Sequence, residues 1–343
     1  MSHKEISIGK IVSLSEEYHK LFSVMLEIQS GCNWRCKHCY VDHYSYRLST
    51  DEIFKLLISL RKMGCFEITL TGGEVFFRND IFEIINQIRE LGFNLVIFTN
   101  ASLLDAKKIE LLSLYNVDLL SCTLFSTKSD IHDSITQVTG SLNIVLNNLD
   151  LLKKQGIPVQ VKSIIMKPNY DSYDALKEYC DEMGFRFKPD FAVYRKLDGD
   201  DRNQELILDE EQLAVIIRNA DIVVGYTPVY VNRESDFVCK QTQHSLSIDW
   251  HGNIHPCNRL SCVLGNIKND DIETVWNNSY LLRDIQNKQW KDLTKCCQCK
   301  KLTYCVRCAG GALEEAGNML DASSVACRIA NARAVAYKES FIS

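Results

Sequence analysis

The distribution of cysteine constrains this chain more than any other feature of its sequence. Of the 15 cysteines in 343 residues, three lie between Cys32 and Cys39 and nine lie between Cys239 and Cys327. Only three occur in the 199 residues that separate these groups. In large chains, clustered cysteines more often bind metal or carry out chemistry than form disulfides, which belong mostly to secreted proteins. The two groups therefore predict two metal-binding or redox regions.

Charge and hydropathy patterns exclude several classes of protein. The formal net charge is −5, which offers no strongly basic surface to nucleic acid. No apolar run approaches the roughly 18 residues that a membrane helix needs. Residues 1–10 carry charges where a signal peptide has an apolar segment. We therefore expect a cytoplasmic protein that binds neither nucleic acid nor membrane.

Strand-like and helix-like segments alternate between residues 20 and 190. Segments with helical periodicity separate apolar segments that are rich in β-branched and aromatic residues, and Ser49 with Glu52 forms a capping-box signature. Such alternation predicts βαβ units and a parallel sheet. Five or six units in fewer than about 200 residues fit a partial (β/α)6 TIM-type barrel better than the full barrel, which takes about 250 residues. The predicted strands are 22–29, 66–70, 95–99, 117–124, 159–166 and 185–191, and the predicted helices are 48–62, 81–91, 105–114, 142–155 and 173–183.

The pattern changes twice beyond the barrel. A polar, acidic break covers residues 196–205, and a helix is predicted after it at 209–219. From Cys239 onward the sequence consists of cysteines, turn residues and short segments. We therefore predict three parts, namely an α/β barrel at 1–200, a bridging helical segment at 201–238 and a small cysteine-rich domain at 239–343.

The first cysteine group has the spacing C-x3-C-x2-C and directly follows the first predicted strand. Ligands of parallel α/β sheets and barrels bind at the carboxyl ends of strands. Three thiolates on one loop, Cys32, Cys36 and Cys39, can ligate three irons of a [4Fe–4S] cluster and leave the fourth iron for a small molecule. The alternative is tetrahedral zinc with His38 as the fourth ligand. His38 adjoins Cys39, however, whereas zinc sites usually combine two short ligand pairs separated by a longer gap.

This motif resembles the radical S-adenosylmethionine superfamily, and the resemblance extends beyond the cysteines. Thr71-Gly72-Gly73-Glu74 follows the second predicted strand and matches the family's GGE motif, which holds the amino group of the methionine moiety. We expect two glycines to let the backbone approach a ligand closely. Val75 and Ala101 depart from the family pattern, which has proline and glycine there. The resemblance assigns cofactor binding to Tyr40, Gly72, Gly73, Glu74, Asn100, Thr123 and Lys162.

The second cysteine group resembles the SPASM extension of these enzymes, which carries two auxiliary [4Fe–4S] clusters. Its elements are C-x12-G-x4-C from Cys239 and C-x2-C-x5-C-x2-C from Cys296, followed by Cys327. The resemblance assigns the first auxiliary cluster to Cys239, Cys257 and Cys308, with Cys262 as a possible fourth ligand. It assigns the second to Cys296, Cys299, Cys305 and Cys327. A pair of structural zinc sites is the alternative. We expect Cys297 to be spare, and Cys65, Cys122 and Cys180 to be core residues.

The resemblance also implies the chemistry. The reduced cluster of Cys32, Cys36 and Cys39 would cleave S-adenosylmethionine, and the resulting 5′-deoxyadenosyl radical would abstract a substrate hydrogen. An electron donor such as flavodoxin or ferredoxin is implied, as is protection from oxygen.

The substrate inferred from the resemblance is a ribosomally made precursor peptide, crosslinked or epimerised by an oxidoreductase. The segments from His132 to Ser141 and from Asp190 to Gly199 resemble those of peptide maturases, although both could simply shape barrel loops. Sulfatase maturation fits less well, because an extra cysteine before the C-x12-G-x4-C element is lacking. Only 31 residues precede Cys32, so a separate leader-peptide-binding protein is a candidate partner. The alternatives are a radical enzyme for a small metabolite such as a tetrapyrrole, and a non-enzymatic zinc-binding interaction protein.

Overall fold

Six parallel strands form an open barrel wall. The computed structural model of the chain describes residues 8–41, 46–196, 200–228 and 234–338. The strands are hydrogen-bonded in sequence order. The predicted α/β fold with a partial six-stranded barrel is confirmed, and each strand overlaps its predicted segment. The strands are β1 (Ser23–Glu27), β2 (Glu67–Thr71), β3 (Asn94–Thr99), β4 (Leu119–Thr123), β5 (Val159–Ile164) and β6 (Arg186–Asp190).

Helices cover the outer face of this wall. The predicted capping box is present, because the Ser49 side chain accepts from the Glu52 N–H while the Glu52 carboxylate accepts from the Ser49 N–H. The first and fifth helices were not predicted, and the fifth is rich in Ser, Asp and Thr, which favour caps and turns over helix interiors. Through residue 223 the helices are α1 (Ile8–Glu17), α2 (Thr50–Lys62), α3 (Ile81–Glu90), α4 (Ala106–Leu114), α5 (Ser129–Thr136), α6 (Ser141–Lys154), α7 (Tyr173–Met183) and α8 (Glu210–Val223).

The two faces of the barrel strands differ in polarity. Val24 and Leu26 of β1 are fully buried beneath the helices and belong to the main hydrophobic core. Successive side chains alternate between faces, so Ser23, Met25 and Glu27 lie on the inner face. Helix packing therefore stabilises the wall from outside and leaves polar groups inside the barrel.

The sheet continues into the cysteine-rich region. Strand β7 (Ser245–Ile248) pairs in parallel with β1, and β8 (Asn253–His255) and β9 (Gly265–Asn266) follow it in antiparallel order. The complete order is β6-β5-β4-β3-β2-β1-β7-β8-β9. The boundary proposed at residue 239 from composition therefore lies next to a strand that shares the barrel sheet, and β7 brings the C-terminal cysteines beside β1.

The C-terminal region is otherwise built from short helices and turns around a small second core. That core contains Val238, Leu260 and Trp290. A buried ion pair between Asp221 of α8 and Arg333 of the last helix ties this region to the bridging segment. Its helices are α9 (Ile272–Asn278), α10 (Tyr280–Asn287), α11 (Ala309–Ala316) and α12 (Ser324–Lys338). Within the described residues, no helix has the length and apolar character needed to cross a membrane.

Candidate active site

The loop after β1 gathers the first three cysteines. Their thiols are unpaired and largely buried. Burial raises the pKa of Cys32 to about 12, with smaller contributions from Glu74 and Cys39. Burial also raises the pKa of Cys36, and so do the charges of Cys39 and Cys32, so the three groups lie near one another. Burial thus favours the neutral thiols, whereas a bound metal stabilises thiolates. The donor set of three cysteine sulfurs fits an iron–sulfur cluster.

Helix α5 braces the cluster loop. The backbone N–H groups of Arg35 and Lys37 donate to the Thr136 and Ile135 carbonyls at 3.2 and 3.0 Å. The His132 ring lies edge-on to Trp34 at 5.6 Å, and His132 is fully buried. The His132 side chain therefore shapes a barrel loop from within, whereas Ser134, Gln137 and Thr139 of the same segment are exposed. In the second maturase-like segment, the Asp190 carboxylate accepts hydrogen bonds from the backbone N–H groups of Phe191 and Ala192. The Leu197-Asp198-Gly199 turn of that segment lies outside the described residues.

The glycines of the GGE loop are required by the cluster loop. A Cβ on Gly73 would lie 2.1 Å from the Gly31 carbonyl oxygen, and a Cβ on Gly72 would lie 2.2 Å from that of Gln29. Gly72 also has a φ of +139°, which few other residues adopt. We expected these glycines to admit a ligand. The contact that demands them in the structure is the packing of the two loops against each other.

Glu74 ties the GGE loop to the end of β3. Its buried carboxylate accepts hydrogen bonds from Thr99 Oγ1 at 2.6 Å, Asn100 N at 2.7 Å and Phe76 N at 3.1 Å. Burial raises the pKa of Glu74, whereas these hydrogen bonds lower it. Three of the roughly four acceptor positions of a carboxylate are thus used within the protein. Ala101, which follows Asn100, has a φ of 60°. This angle lies in the left-handed region, where the glycine of the family pattern would be unstrained.

Thr123 and Lys162 are neighbours on the inner face of the wall. They are direct partners in the β4–β5 register. Lys162 Nζ lies 3.8 Å from the ring centroid of Phe98, on β3. Burial lowers the pKa of Lys162 to about 8, helped by the positive charge of Lys188. Both side chains therefore lie where a molecule inside the barrel can contact them.

Cys239, Cys257 and Cys308 form a second group of thiols. Burial raises the pKa of Cys257 to about 12, and the charges of Cys239 and Cys308 contribute. The segments that follow Cys257 and Cys308 pack closely at Gly310, where a Cβ would lie 2.5 Å from the Arg259 carbonyl oxygen. Cys262 stands apart from these thiols, since burial is the main cause that raises its pKa and none of the three contributes. The group thus comprises three sulfurs, and the fourth ligand remains a prediction.

These three cysteines line a cavity of about 780 Å³. Met25 and Thr69, from the inner barrel face, contribute to its wall, as do Arg259 and Arg307. Arg259 Nε and Arg307 Nε and Nη1 are buried and have no hydrogen-bond partner among the described residues. Unsatisfied cationic donors are costly to bury. The arginine donors would suit an anionic, thiolate-ligated cluster. The rest of the cavity would then be open to another molecule.

A third group of thiols lies on the turns and the last helix of the C-terminal region. The pKa of Cys327 is raised by burial and by the charges of Cys296 and Cys299, which places these three together. Cys305 belongs to the same turn-rich segment, where its N–H donates to the Leu302 carbonyl at 3.1 Å. The remaining cysteines lie elsewhere, with the Cys297 thiol 3.8 Å from the Thr294 carbonyl oxygen. As predicted, Cys65, Cys122 and Cys180 are buried in the core.

The arrangement gives no support to single zinc ions. Across the described part of the chain, no three His, Cys, Asp or Glu side chains are grouped so that they could hold one metal ion. Thiolates bound to one zinc ion at about 2.3 Å would lie roughly 3.8 Å apart. A cluster of several irons gathers its thiolates more loosely.

A buried acidic network was not anticipated from the sequence. Tyr40 Oη donates to Glu27 Oε1 at 3.5 Å, and His255 Nε2 lies 3.2 Å from Asp249 Oδ2. Burial, followed by the charge of Asp249, raises the pKa of Glu27 to about 7. Hydrogen bonds from His255 and Asn253 outweigh the effect of burial and lower the pKa of Asp249 to about 2. The sequence signal that could have indicated this site is Glu27, a glutamate on the inner face of an apolar strand.

Comparison with known proteins agrees with this organisation. Residues 26–183 match the radical SAM superfamily, and residues 239–300 match the SPASM iron–sulfur cluster-binding domain. The chain is 24% identical over 328 residues to the AdoMet-dependent heme synthase of Methanosarcina barkeri, covering 86% of this chain and 93% of that protein. It is 25% identical over 309 residues to the subtilosin biosynthesis protein AlbA of Bacillus subtilis, covering 86% and 68%.

The fold is shared with solved structures. Streptococcus suis SuiB bound to S-adenosylmethionine has a TM-score of 0.70 at 17% identity, covering 92% of this chain and 80% of that one. The structure of SuiB bound to its precursor peptide SuiA gives 0.68 at 17% identity, covering 95% and 84%. The chain belongs to the radical S-adenosylmethionine enzymes with a C-terminal SPASM domain, whose cofactors are S-adenosylmethionine, the [4Fe–4S] cluster that binds it and auxiliary clusters.

Proposed function

We propose that this enzyme modifies a ribosomally made peptide at an unactivated carbon, by a crosslink or an epimerisation. The observation that carries the proposal is the similarity to AlbA, a protein of subtilosin biosynthesis, over 86% of this chain. The likeness to SuiB, whose structure was solved with a precursor peptide, supports the same substrate class through a shared fold. A separate leader-binding protein and a flavodoxin or ferredoxin belong to the proposal as partners.

Two loops and two neighbouring strands would hold the cofactors. Cys32, Cys36 and Cys39 would ligate the cluster, and the GGE loop would support the methionine end of S-adenosylmethionine. Thr123 and Lys162, from the inner face, would contact the rest of that molecule or the substrate. When bound, the cluster and S-adenosylmethionine supply a radical that abstracts hydrogen. The residues of the chain orient the reactants and exclude water from the barrel.

The cavity beside Cys239, Cys257 and Cys308 is the proposed substrate chamber. Its volume of about 780 Å³ is within the range of ligand sites. Arginines and a polar inner face make it suitable for a chain segment that carries backbone carbonyls and an acidic group. The barrel edge at β6 is less suited to strand addition, because Pro189 lacks an N–H to donate. We therefore propose that the peptide enters the chamber as a loop or an end.

A tetrapyrrole or related small metabolite is the second candidate. The match to the heme synthase of Methanosarcina barkeri favours it, because it covers 93% of that protein. The chamber arginines would then pair with carboxylate groups of the metabolite.

Co-expression with short peptides encoded beside the gene tests the proposal. A crosslink removes two hydrogens from the peptide, and an epimerisation in deuterated water adds deuterium at the inverted carbon. Both are read by mass spectrometry, with a variant in which Cys32, Cys36 and Cys39 are alanine as the control. If no peptide changes while a tetrapyrrole drives consumption of S-adenosylmethionine, the small-metabolite function replaces the peptide function.

A further inference from the structure

Asn100 connects the end of β3 to a proposed cluster ligand. The residue is 7% exposed, and its Nδ2 lies 3.8 Å from Cys32 Sγ and 3.0 Å from Asn33 Oδ1. The resemblance to the family suggested contact with the cofactor for Asn100. In the structure its side chain is instead directed at the cluster loop.

The orientation of the amide is determined by its other contacts. Asn100 Oδ1 accepts hydrogen bonds from the Ser102 N–H at 2.9 Å and from Ser102 Oγ at 2.7 Å. A backbone N–H can only donate, so the oxygen must face Ser102 and the NH2 group must face Cys32. Asn33 completes the ring, because its Nδ2 donates to Ser102 Oγ at 2.8 Å.

The backbone of Asn100 is held as firmly as its side chain. Its N–H donates to the buried Glu74 carboxylate at 2.7 Å. On the far side of the loop, Asn148 of α6 donates to the Ala101 and Leu104 carbonyls at 2.9 and 3.0 Å. The amide therefore faces the sulfur in a preorganised position. The Trp34 N–H, at 3.4 Å, is a second donor to the same sulfur.

We propose that Asn100 is a positioning residue that raises the reduction potential of the radical cluster by donating an N–H···S hydrogen bond to Cys32. Reduction adds negative charge to the cluster and its thiolates, and a donor at a sulfur stabilises that charge. The proposal depends on Cys32 being a ligand. It does not depend on the proposed substrate, because the potential is measured without one.

The test is a redox titration of the anaerobic holoenzyme, followed by electron paramagnetic resonance. The signal that changes on addition of S-adenosylmethionine identifies the relevant cluster among the three. Asn100→Ala removes the donor, and Asn100→Asp keeps the shape but places an acceptor at the sulfur. We expect both variants to lower the ratio of reduced to oxidised cluster at a set potential, with Asn100→Asp lowering it about tenfold, equivalent to about 59 mV for one electron.

Asn148→Ala is the matched control, because it removes a buried amide that braces the same loop without contacting Cys32. It should retain the wild-type potential. The proposal is wrong if Asn100→Asp fails to hold the cluster, if its potential equals that of the wild type, or if Asn148→Ala shifts the potential as far as Asn100→Ala does. Each of these results leaves the substrate question untouched, since no substrate is present.

Discussion

The two cysteine-bearing regions of this protein are built in different ways. The first cluster loop follows a strand of a large sheet and is held by α5, by the GGE loop and by Asn100. The last cysteines, from Cys296 to Cys327, lie mainly on short turns beside a small core. The first site is thus shaped by protein packing, and we expect the last to depend on metal to complete its fold. The contrast teaches that similar ligand sets can have opposite relations to stability.

Loss of ligands should affect the two regions unequally, and this is the largest expected effect. Cys296→Ala or Cys327→Ala should give insoluble or iron-poor protein, because metal binding there is coupled to folding. A variant with alanine at Cys32, Cys36 and Cys39 should stay soluble and lose about a third of roughly twelve irons. Iron analysis and yield of soluble protein provide the measurement. A soluble, iron-rich Cys327→Ala enzyme would remove the contrast.

The packing of the first loop can be broken without touching a ligand. Gly73→Ala places a methyl group where the Gly31 carbonyl oxygen lies 2.1 Å away, so the two loops must separate. We expect a loss of at least a few kcal/mol in the free energy of unfolding, together with loss of the first cluster alone. The control is Gly9→Ala, because a methyl group there meets no atom within 4 Å. Full iron content in the Gly73 variant would show that the loop tolerates more than its packing suggests.

A smaller effect concerns pH and the junction between the regions. The pKa of Glu27 is raised from 4.5 to about 7, so its carboxyl resists ionisation in the folded state. This contribution to stability is fully retained below pH 4.5 and is lost as pH rises through about 7. Glu27→Gln cannot ionise. The free energy of unfolding of Glu27→Gln relative to that of the wild type should therefore increase by about 2 kcal/mol from pH 5 to pH 8. The thermal midpoints of the two proteins at each pH provide the measurement.

Glu110→Gln, on an exposed position of α4, is the control for that measurement. Its difference from the wild type should be the same at both pH values, because the side chain stays in water on unfolding. An equal difference at both pH values for Glu27→Gln would mean that the buried network does not oppose ionisation of Glu27.

Local patterns predicted the barrel because each strand and helix carries its own signal. The Ser49 cap and the alternation of apolar segments are examples. Such patterns could not predict the pairing of β7 with β1, because these strands lie more than 200 residues apart in the chain. The roles of the glycines and of Asn100 were also beyond them, because close approach between loops depends on tertiary packing. The proposed ligand groups, by contrast, could be assigned because the cysteine spacing resembles that of the family.

The most direct test of the account is the formation of 5′-deoxyadenosine by the anaerobically purified, chemically reduced enzyme. The central claim is that the loop of Cys32, Cys36 and Cys39 forms the site where S-adenosylmethionine is cleaved. We expect slow formation without substrate in the wild type and none in the variant with all three residues changed to alanine, while that variant keeps its remaining iron. Continued formation of 5′-deoxyadenosine by the triple variant would contradict the account.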